Sequence, residues 1–310
     1  MKTHSLRLAA VVLACACGAP AASADEAPKT YLLRYKFRPG EVIRWEVEHR
    51  AQIRATVSGT TETTESTAIS VKVWKIESVD ASGVARFMHS VEKVDMRQKF
   101  DGRQETHYNS ETDGEPPAGF ADAAKSVGVP LTLFTLDDTG KIINREEQLA
   151  GPAQRMQEQI TIPLPVEEVA IGGTWIIPDE ITVTLRSGEL KKLQTRQKMT
   201  LLSVEEGVAT IKIETQILTP IHNPEIEAQV VQYETFGKAR FDIEAGRLLG
   251  QQIDLDRSVV GFQGGASSLK YVTRSIERLL SSELAKAPTV PRPTSPARSA
   301  APPSRQATRK

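Results

Sequence analysis

Cysteine is almost absent from this sequence of 310 residues. The only two are Cys15 and Cys17, and both lie within the first 24 residues. Those residues resemble a secretory signal: a positively charged start, an apolar stretch of ten, and small residues up to Ala24. We therefore predict a signal peptide over 1–24 and export to the periplasm or the extracellular space. The mature chain would then have no disulfide, no thiolate nucleophile and no Cys-ligated metal.

Long apolar runs are missing as well. A bilayer-spanning helix needs ~20 apolar residues, and neither the stretch of ten nor any later one reaches that length. The sequence therefore predicts no transmembrane helix in the mature chain. A second interpretation of the first segment makes Val12 to Cys15 a lipobox, with Cys15 lipidated and the protein tethered to a membrane.

Acidic residues are missing from the C-terminal end. Residues 286–310 contain six basic residues, six prolines and no large apolar side chain beyond Val290. Because such a segment buries too little surface to offset its ordering entropy, we predict a disordered Pro/Ala-rich basic tail over 283–310. The tail would either contact an anionic envelope surface or act as a passive, solubilising end.

Aromatic residues make up only 5% of the chain. Between the signal and the tail, 31 basic residues stand against 39 acidic ones, so the body is acidic. A body of this kind lacks a basic-aromatic face, and we predict no nucleic-acid binding for it. The three tryptophans, Trp45, Trp74 and Trp175, would form either a sugar platform or, more plainly, part of the core.

Motifs for metals, cofactors and catalysis are missing too. The body has four histidines, His49, His89, His107 and His222, and no two have the spacing of a metal site. His49 and His89 fall in register with apolar residues, which would matter if both strands faced one cavity. Otherwise they are partly buried histidines with ordinary hydrogen bonds.

Two Ser-x-x-Lys pairs occur, at Ser90/Lys93 and Ser267/Lys270. On strands, residues three apart point to opposite faces, so we interpret both pairs as chance. We therefore predict no catalytic residue, no cofactor and no metal. Whether the protein is an enzyme stays open at this point, although the sequence favours a protein without catalytic activity.

Strand patterns dominate what the sequence does contain. Over residues 43–57, apolar and charged or polar residues alternate without a break, which predicts one buried and one wet face. At ~3.3 Å per residue this strand would extend about 50 Å, so it must bend or bulge, as strands do in curved sheets and barrels.

Several local features are predicted along the chain. Near Trp74 the apolar residues change face, which suggests a bulge, and Asp101-Gly102 is a two-residue hairpin signal. A hairpin is predicted to turn at Gly140. We also expect a helical turn within 120–126, a helical stretch over 152–160, a strand over 228–236, and a closing strand over 267–280 that becomes helical at its end.

Landmarks recur in the same order in both halves of the body. Trp45 lies 14 residues before the turn at Gly59, and Trp175 lies 13 before the one at Gly188. The later turns at Gly83 and Gly140 are matched by those at Gly207 and Gly246. We predict an all-β fold with minor α, in which two twisted antiparallel meanders form curved half-barrel sheets. One interpretation of the matched landmarks is an internal duplication. The halves would be 25–147 and 166–282, joined by a helical and proline-containing linker over 148–165; glycine turns that recur by chance are the alternative.

Three phrases carry a resemblance to a known family. They are "FRPGEVIRWEVE", "PLPVEEVAIGGTW" and "FGKARFDIEAGRLLGQQ". On them the chain resembles uncharacterised secreted bacterial proteins, planctomycete-like in character, that carry a domain of unknown function. The resemblance implies an all-β fold and no established activity. In layout alone, the chain is also similar to the half-barrels of periplasmic lipoprotein carriers and lipid-binding lipoproteins.

Curved sheets of long amphipathic strands create a concave apolar interior. The first functional hypothesis is therefore a non-catalytic exported protein that binds an apolar, lipid-like ligand or an envelope partner. The second is a structural envelope scaffold with a filled core and an anchoring basic tail. The third is a hydrolase whose active-site residues are dispersed along the chain.

Overall fold

The computed structural model of the protein describes residues 28–149, 160–185 and 187–284. The predicted signal peptide, the helical stretch up to residue 159 and the tail beyond 284 lie outside these residues. The described chain is all-β with little helix, as predicted. Its strands are Thr30–Tyr31 (β1), Glu41–Val57 (β2), Thr60–Val79 (β3), Ala85–Phe100 (β4), Thr106–Asn109 (β5), Pro130–Leu136 (β6), Ile142–Glu147 (β7), Val169–Ala170 (β8), Thr174–Thr184 (β9), Leu190–Glu205 (β10), Val208–Ile217 (β11), Phe236–Asp242 (β12), Arg247–Val260 (β13) and Ser268–Leu284 (β14).

Helix is confined to short segments in the described residues. The two α-helices are Ala121–Ser126 (α1) and Pro224–Val230 (α2), and 3-10 turns occur at Ala118–Phe120 and Val231–Tyr233. Neither α-helix is long or apolar enough to cross a bilayer.

A single antiparallel sheet of twelve strands contains nearly all of the strand residues. Its order is β7-β6-β4-β3-β2-β14-β13-β12-β11-β10-β9, with β5 beside β4, while β1 and β8 form a separate pair. The sheet consists of two meanders, one from β2 to β7 and one from β9 to β14. They join where β14 pairs with β2, from Ser268 opposite Thr56 to the other end of both strands. The predicted meanders are therefore present, and they share one sheet.

Both meanders run across the sheet in the same direction. The turn at Gly140 joins β6 to β7, and the turn at Gly246 joins β12 to β13. Counted from the first strand of each meander, both turns join the fourth strand to the fifth in the order of the sheet, as a duplication requires. β14 has no counterpart among the described residues of the first meander, and the duplication itself stays a prediction.

The sheet is strongly curved. The backbone N–H of Tyr35 donates to the carbonyl of Asp138 at 2.7 Å, and that of Lys36 donates to the carbonyl of Gly246 at 3.0 Å. In a flat sheet the β6–β7 and β12–β13 hairpins would lie roughly 29 Å apart, six strand spacings of ~4.8 Å. Since two consecutive residues contact both, the sheet curls around this segment. We call the face on which residues 33–37 lie the inner face.

One end of the inner face is filled with apolar side chains. Residues 33–37 and 160–169 lie there, and Phe37 packs against both apolar clusters of this region. We call it the closed end. The first cluster includes Leu33, Tyr35, Ile162, Leu164, Leu201, Ile211 and Phe241; the second includes Ile43, Trp45, Trp74, Phe87, Phe134 and Leu136.

A buried ion pair ties the strands of the closed end together. Arg247 on β13 is 7% exposed and Glu41 on β2 is 5% exposed, and their Nη1 and Oε1 atoms lie 2.6 Å apart. Arg247 Nη2 also donates to the carbonyl of Lys36 at 3.0 Å. Burial alone would raise the pKa of Glu41, but hydrogen bonds from Arg247 and Ser282 outweigh it, so the pKa is lowered.

The two glycines of the repeated turns lie against the same segment. Gly140 has a φ of 82°, and a Cβ there would meet the Tyr35 ring at 2.6 Å. Gly246 has a φ of 61°, and a Cβ there would meet the backbone nitrogen of Lys36 at 2.6 Å. Glycine is therefore required at both turns for its left-handed backbone and for close approach.

At the other end of the sheet, two helices cover the flanks of the inner face. Phe120, just before α1, packs with Val94 and Tyr108 near the first edge. On the far side, α2 packs through Ile226 and Val230 against β9 and β10. Between the helices lie the central strands β3, β2 and β14. We call this region the open end.

The structure corrects the prediction of a strand over 228–236. Most of that stretch lies in α2 and the 3-10 turn that follows it. Asn223 caps the helix by accepting a hydrogen bond from the N–H of Glu225 at 2.9 Å, and Pro224 occupies the first turn. These two residues outweigh the β propensity of the valines that follow.

Other local predictions are met in part. The bulge expected where Trp74 and Ile76 interrupt the alternation is present, because Glu77, between Ile76 and Ser78, is an extra residue on β3. The turn at Asp101-Gly102 spans five residues, from β4 to β5, and not two. β14 stays a strand to Leu284, so its predicted helical end is wrong, because its pairing with β2 continues to the last residue. The helical turn within 120–126 and the hairpin at Gly140 are confirmed.

Candidate functional site

The inner face of the three central strands forms a trough at the open end. Residues paired directly across antiparallel strands share a face. Ile53 on β2 pairs with Thr64 on β3 and with Tyr271 on β14, and this row is half-buried. The trough is therefore apolar along β2 except at the exposed His49, and it carries mainly hydroxyl groups on its two sides. Its half-buried members are Thr64, Ser66, Ala68 and Ser70 on β3, Val47, Ala51, Ile53 and Ala55 on β2, and Leu269, Tyr271, Thr273 and Ser275 on β14.

A cleft of about 610 Å³ lies at the mouth of the trough. Glu225, Ala228 and Gln229 line it from α2, and Phe262 and Gln263 line it from the β13–β14 loop. Leu269 lines the cleft as well and pairs with Ala55 of the trough. The cleft is therefore continuous with the apolar row of β2.

The loop that borders the cleft is held by Ser267. Its Oγ donates to the carbonyl of Gly264 at 2.7 Å and accepts from the N–H of Gln263 at 2.8 Å. Lys270 pairs with Asp256 instead of reaching Ser267. Ser267 and Lys270 therefore have separate structural roles.

The other Ser-x-x-Lys pair, Ser90/Lys93, has a different geometry from the one expected. An extra residue on β4, Glu92, shifts the register, so Ser90 pairs with Val73 and Lys93 with Val71. The serine and the lysine thus lie on the same outer face. Lys93 Nζ pairs with Glu111 at 3.1 Å, so the lysine serves a surface ion pair.

A cluster of polar side chains lies where the trough meets the closed end. Lys72 Nζ contacts Glu277 Oε1, and Gln251 Nε2 donates to Glu277 Oε2 at 2.8 Å. The ammonium group also lies 5.0 Å from the ring centroids of both Trp45 and Trp74. Lys72 and Glu277 are largely buried, and their charges cancel. We call Lys72, Trp74, His89, Gln251 and Glu277 the polar cluster.

His89 and Trp74 are the deepest members of the polar cluster. They pair directly across β3 and β4, and His89 is 8% exposed. Burial, together with the charge of Lys72, lowers the pKa of His89 to about 3, so its imidazole is neutral near pH 7. Within the described chain, His89 Nδ1 and Trp74 Nε1 are buried without a hydrogen-bond partner.

His49 also lies on the inner face, but in the trough. It pairs with Ala68 and Ser275 and is exposed, although the surrounding walls bury enough of its environment to lower its pKa. Along the strands it is about 20 Å from His89, six residues at ~3.4 Å each. The structure therefore puts both histidines on one face without bringing them together.

The remaining histidines are peripheral. His107 Nε2 lies 3.0 Å from Asp95 Oδ1, and His222 is exposed on the segment before α2. Across the described ranges, no group of three or more His, Asp or Glu side chains could hold a metal ion.

The tryptophans serve packing. Trp45 and Trp74 are buried in the closed end, and the Nε1 of Trp175 donates to the carbonyl of Pro163 at 2.8 Å. This is the plainer of the two interpretations of the three residues. Together with Lys72, the two buried indoles form the floor of the trough at its inner end.

Sequence reasoning missed the pairing of Lys72 with Glu277. A weak signal exists on β3, because Lys72 stands between Val71 and Val73 in an apolar run. Their contact depends on the pairing of β2 with both strands, which joins residues more than 200 positions apart.

No family model matches the chain, and no curated protein matches it. The resemblance to secreted bacterial proteins therefore stays a prediction. Among solved structures, the chain is similar to one titled "Lipid-protein interactions in lipovitellin", with 11% sequence identity and a TM-score of 0.46. The match covers 82% of this chain and 26% of that chain, so this chain spans about a quarter of its length.

Proposed function

We propose that the protein is a binding protein that holds an apolar or amphipathic small molecule of lipid type along the trough. The observation that carries the proposal is the half-buried apolar row of β2, which runs from the cleft at Leu269 towards the polar cluster at Glu277. At ~3.4 Å per residue, the eight residues between these positions on β14 span about 27 Å.

The chemistry of the trough supports this proposal. Small-molecule sites are concave and mostly apolar, with a few polar groups that orient the ligand, and typically hold about 300–1,000 Å³. The cleft of about 610 Å³ is within that range. Covering the side chains of Val47, Ala51 and Ile53 would remove apolar surface from water, at roughly 25 cal/mol per Å².

Export is part of the proposal. The segment 1–24 has the pattern of a signal peptide, so the ligand would be met in the periplasm or outside the cell. Mass spectrometry of the mature protein tests this point, with a chain that begins at Asp25 as the expected result. A lipidated Cys15 at the start would support the lipoprotein alternative.

Two substitutions on one strand test the site. Ile53 faces the trough, whereas the next residue, Arg54, faces outward and is exposed. We expect Ile53→Gln to weaken binding of the neutral fluorescent probe N-phenyl-1-naphthylamine by about tenfold, since ~1.4 kcal/mol of burial is lost. Arg54→Gln should bind the probe as the wild type does.

Two results would contradict the proposal. One is the absence of saturable probe binding by the folded wild-type protein. The other is an equal loss of affinity in both variants, which would place the probe elsewhere. Native mass spectrometry of the protein purified from its own compartment then identifies any molecule that it carries.

A second candidate function is a structural envelope protein anchored by its basic tail. The filled closed end favours it, because a packed core suits a scaffold. Deleting residues 286–310 should then abolish salt-sensitive retention in the envelope fraction. Unchanged retention would argue against this candidate and leave the binding proposal intact.

A further inference from the structure

We infer that the ligand of the trough is an uncharged amphiphile whose hydroxyl or carbonyl oxygen lies at the polar cluster. This inference rests on the proposed function and specifies its ligand class. It follows from the charge balance of the cluster and from its two buried nitrogen atoms, which lack hydrogen-bond partners among the residues that the structure describes.

The charges at the inner end of the trough are already balanced. Lys72 contacts Glu277, and their side chains are only 13% and 6% exposed. His89 is neutral near pH 7, so the cluster carries no net charge. A carboxylate or an ammonium head group placed there would be a buried charge without a counterion, which is strongly unfavourable.

Both members of the ion pair have further neighbours, although Glu277 Oε1, which contacts Lys72, has no hydrogen-bond partner within the described chain. Gln251 donates to Glu277 Oε2 at 2.8 Å, and the Lys72 ammonium lies 5.0 Å from each of the two indole rings. Cation–π contacts of this kind stabilise a desolvated lysine. A ligand would therefore have little to gain by displacing either member of the pair.

The available hydrogen-bonding atoms suit a neutral oxygen. Trp74 Nε1 can only donate, while His89 Nδ1 donates or accepts according to its tautomer. The two residues are directly paired, so their Cβ atoms are ~5 Å apart. A hydroxyl group can accept from Trp74 and bond to either tautomer of His89, and a carbonyl oxygen can accept from both when Nδ1 carries the proton.

The walls of the trough favour the same class. Beside the apolar row of β2 they present mainly hydroxyl groups, such as those of Ser70 and Ser275. The carboxylate of Glu62 lies opposite Ala55 at the mouth. A neutral chain can lie along such walls without leaving a charged group uncompensated. The trough thus combines an apolar track with a neutral, hydrogen-bonding inner end.

A matched series of twelve-carbon chains tests the inference. Dodecanol, methyl dodecanoate, dodecanoate and dodecylammonium are each used to displace N-phenyl-1-naphthylamine from the wild-type protein at neutral pH. We expect the two neutral compounds to displace the probe at concentrations about tenfold or more below those of the two charged compounds. Equal or tighter binding of dodecanoate would overturn the inference.

A charge variant reverses the expected preference. Glu277→Gln removes the partner of Lys72, so dodecanoate should gain at least about tenfold over dodecanol. The control is Glu46→Gln, whose carboxylate pairs with Arg278 at 3.2 Å on the exposed surface. The control should keep the wild-type order of the four compounds.

A second variant keeps the test decisive if Glu277→Gln does not fold. Trp74→Phe keeps an aromatic ring and removes the N–H, so it should weaken dodecanol by several-fold and leave dodecylammonium unchanged. An unchanged affinity for dodecanol would contradict the assigned head-group position. If neither the probe nor any chain binds the wild type, the proposed function falls; if all four chains bind equally, only this inference does.

Discussion

The closed and open ends of the inner face are formed by the same strands, yet they differ in what covers them. Ile43 and Ile53 lie on one face of β2, and Ile43 is fully buried whereas Ile53 is half-buried. The alternation of the strand decides which face a side chain points to. Whether it becomes core depends on segments distant in sequence, here residues 33–37 and 160–169.

The three phrases that carry the family resemblance meet at the closed end. Glu41 comes from the first phrase and Arg247 from the third, and they form the buried ion pair. The second phrase begins at Pro163 and includes Pro165, whose carbonyl accepts from Arg34 at 2.7 Å. The phrases therefore lie mainly where the sheet closes on its first segment, and among the trough residues only Val47 belongs to one of them.

Among the changes that compare the two ends, breaking the buried ion pair of the closed end should have the largest effect on the free energy of unfolding. Glu41→Gln leaves Arg247 charged and buried, so we expect a loss of ~3–5 kcal/mol in the free energy of unfolding. Glu46→Gln, which breaks the exposed pair with Arg278, should cost less than ~1 kcal/mol. Urea unfolding followed by circular dichroism measures both, and similar losses would contradict the buried role of Glu41.

The same pair sets a pH dependence. The pKa of Glu41 is lowered in the folded state, so its contribution is fully present above its ordinary value of 4.5. It is lost as the pH falls through the lower, folded pKa. The stability difference between wild type and Glu41→Gln should therefore shrink below about pH 4.5.

Two isoleucines on β2 compare the ends directly. Ile43→Ala opens a cavity in the closed end and should cost ~2–5 kcal/mol, whereas Ile53→Ala in the trough should cost about 1 kcal/mol. The substitution, the strand and the face are identical, so only the covering segments differ. Equal costs in urea unfolding would mean that the trough is as tightly packed as the closed end.

The titration of His89 should have the smallest effect on the free energy of unfolding near neutral pH. Its pKa falls from 6.5 to about 3 on folding, so between these values the unfolded chain binds a proton that the folded one does not. The contribution of neutral His89 to the free energy of unfolding is therefore fully present above pH 6.5. It declines as the pH falls, which raises the unfolding constant by up to about tenfold per pH unit.

His89→Gln should remove most of this slope between pH 6.5 and 5, above the range in which Glu41 acts. The control, His222→Gln, changes an exposed residue before α2 and should keep the wild-type slope. Urea midpoints measured at half-unit pH steps compare the three proteins. An unchanged slope in His89→Gln would refute the assignment.

Local patterns predicted much of the fold, since alternation and glycine turns act within a few residues. The strand of residues 43–57 and the hairpin at Gly140 were found this way. The helix at Pro224 was missed, although Asn223 and Pro224 form a recognisable helix start. The polar cluster could not be predicted, because Lys72 and Glu277 meet only when β14 pairs with β2.

The pairing of β2 with β14 also bears on how the chain folds. The partners are separated by about 210 to 240 residues, so this contact raises the contact order of the fold. Until the last strand arrives, β2 has one open edge, which other chains could pair with. The alternating charges at Arg44, Glu46, Glu48 and Arg50 lie along that edge. Charged side chains on an open strand disfavour its pairing with other chains.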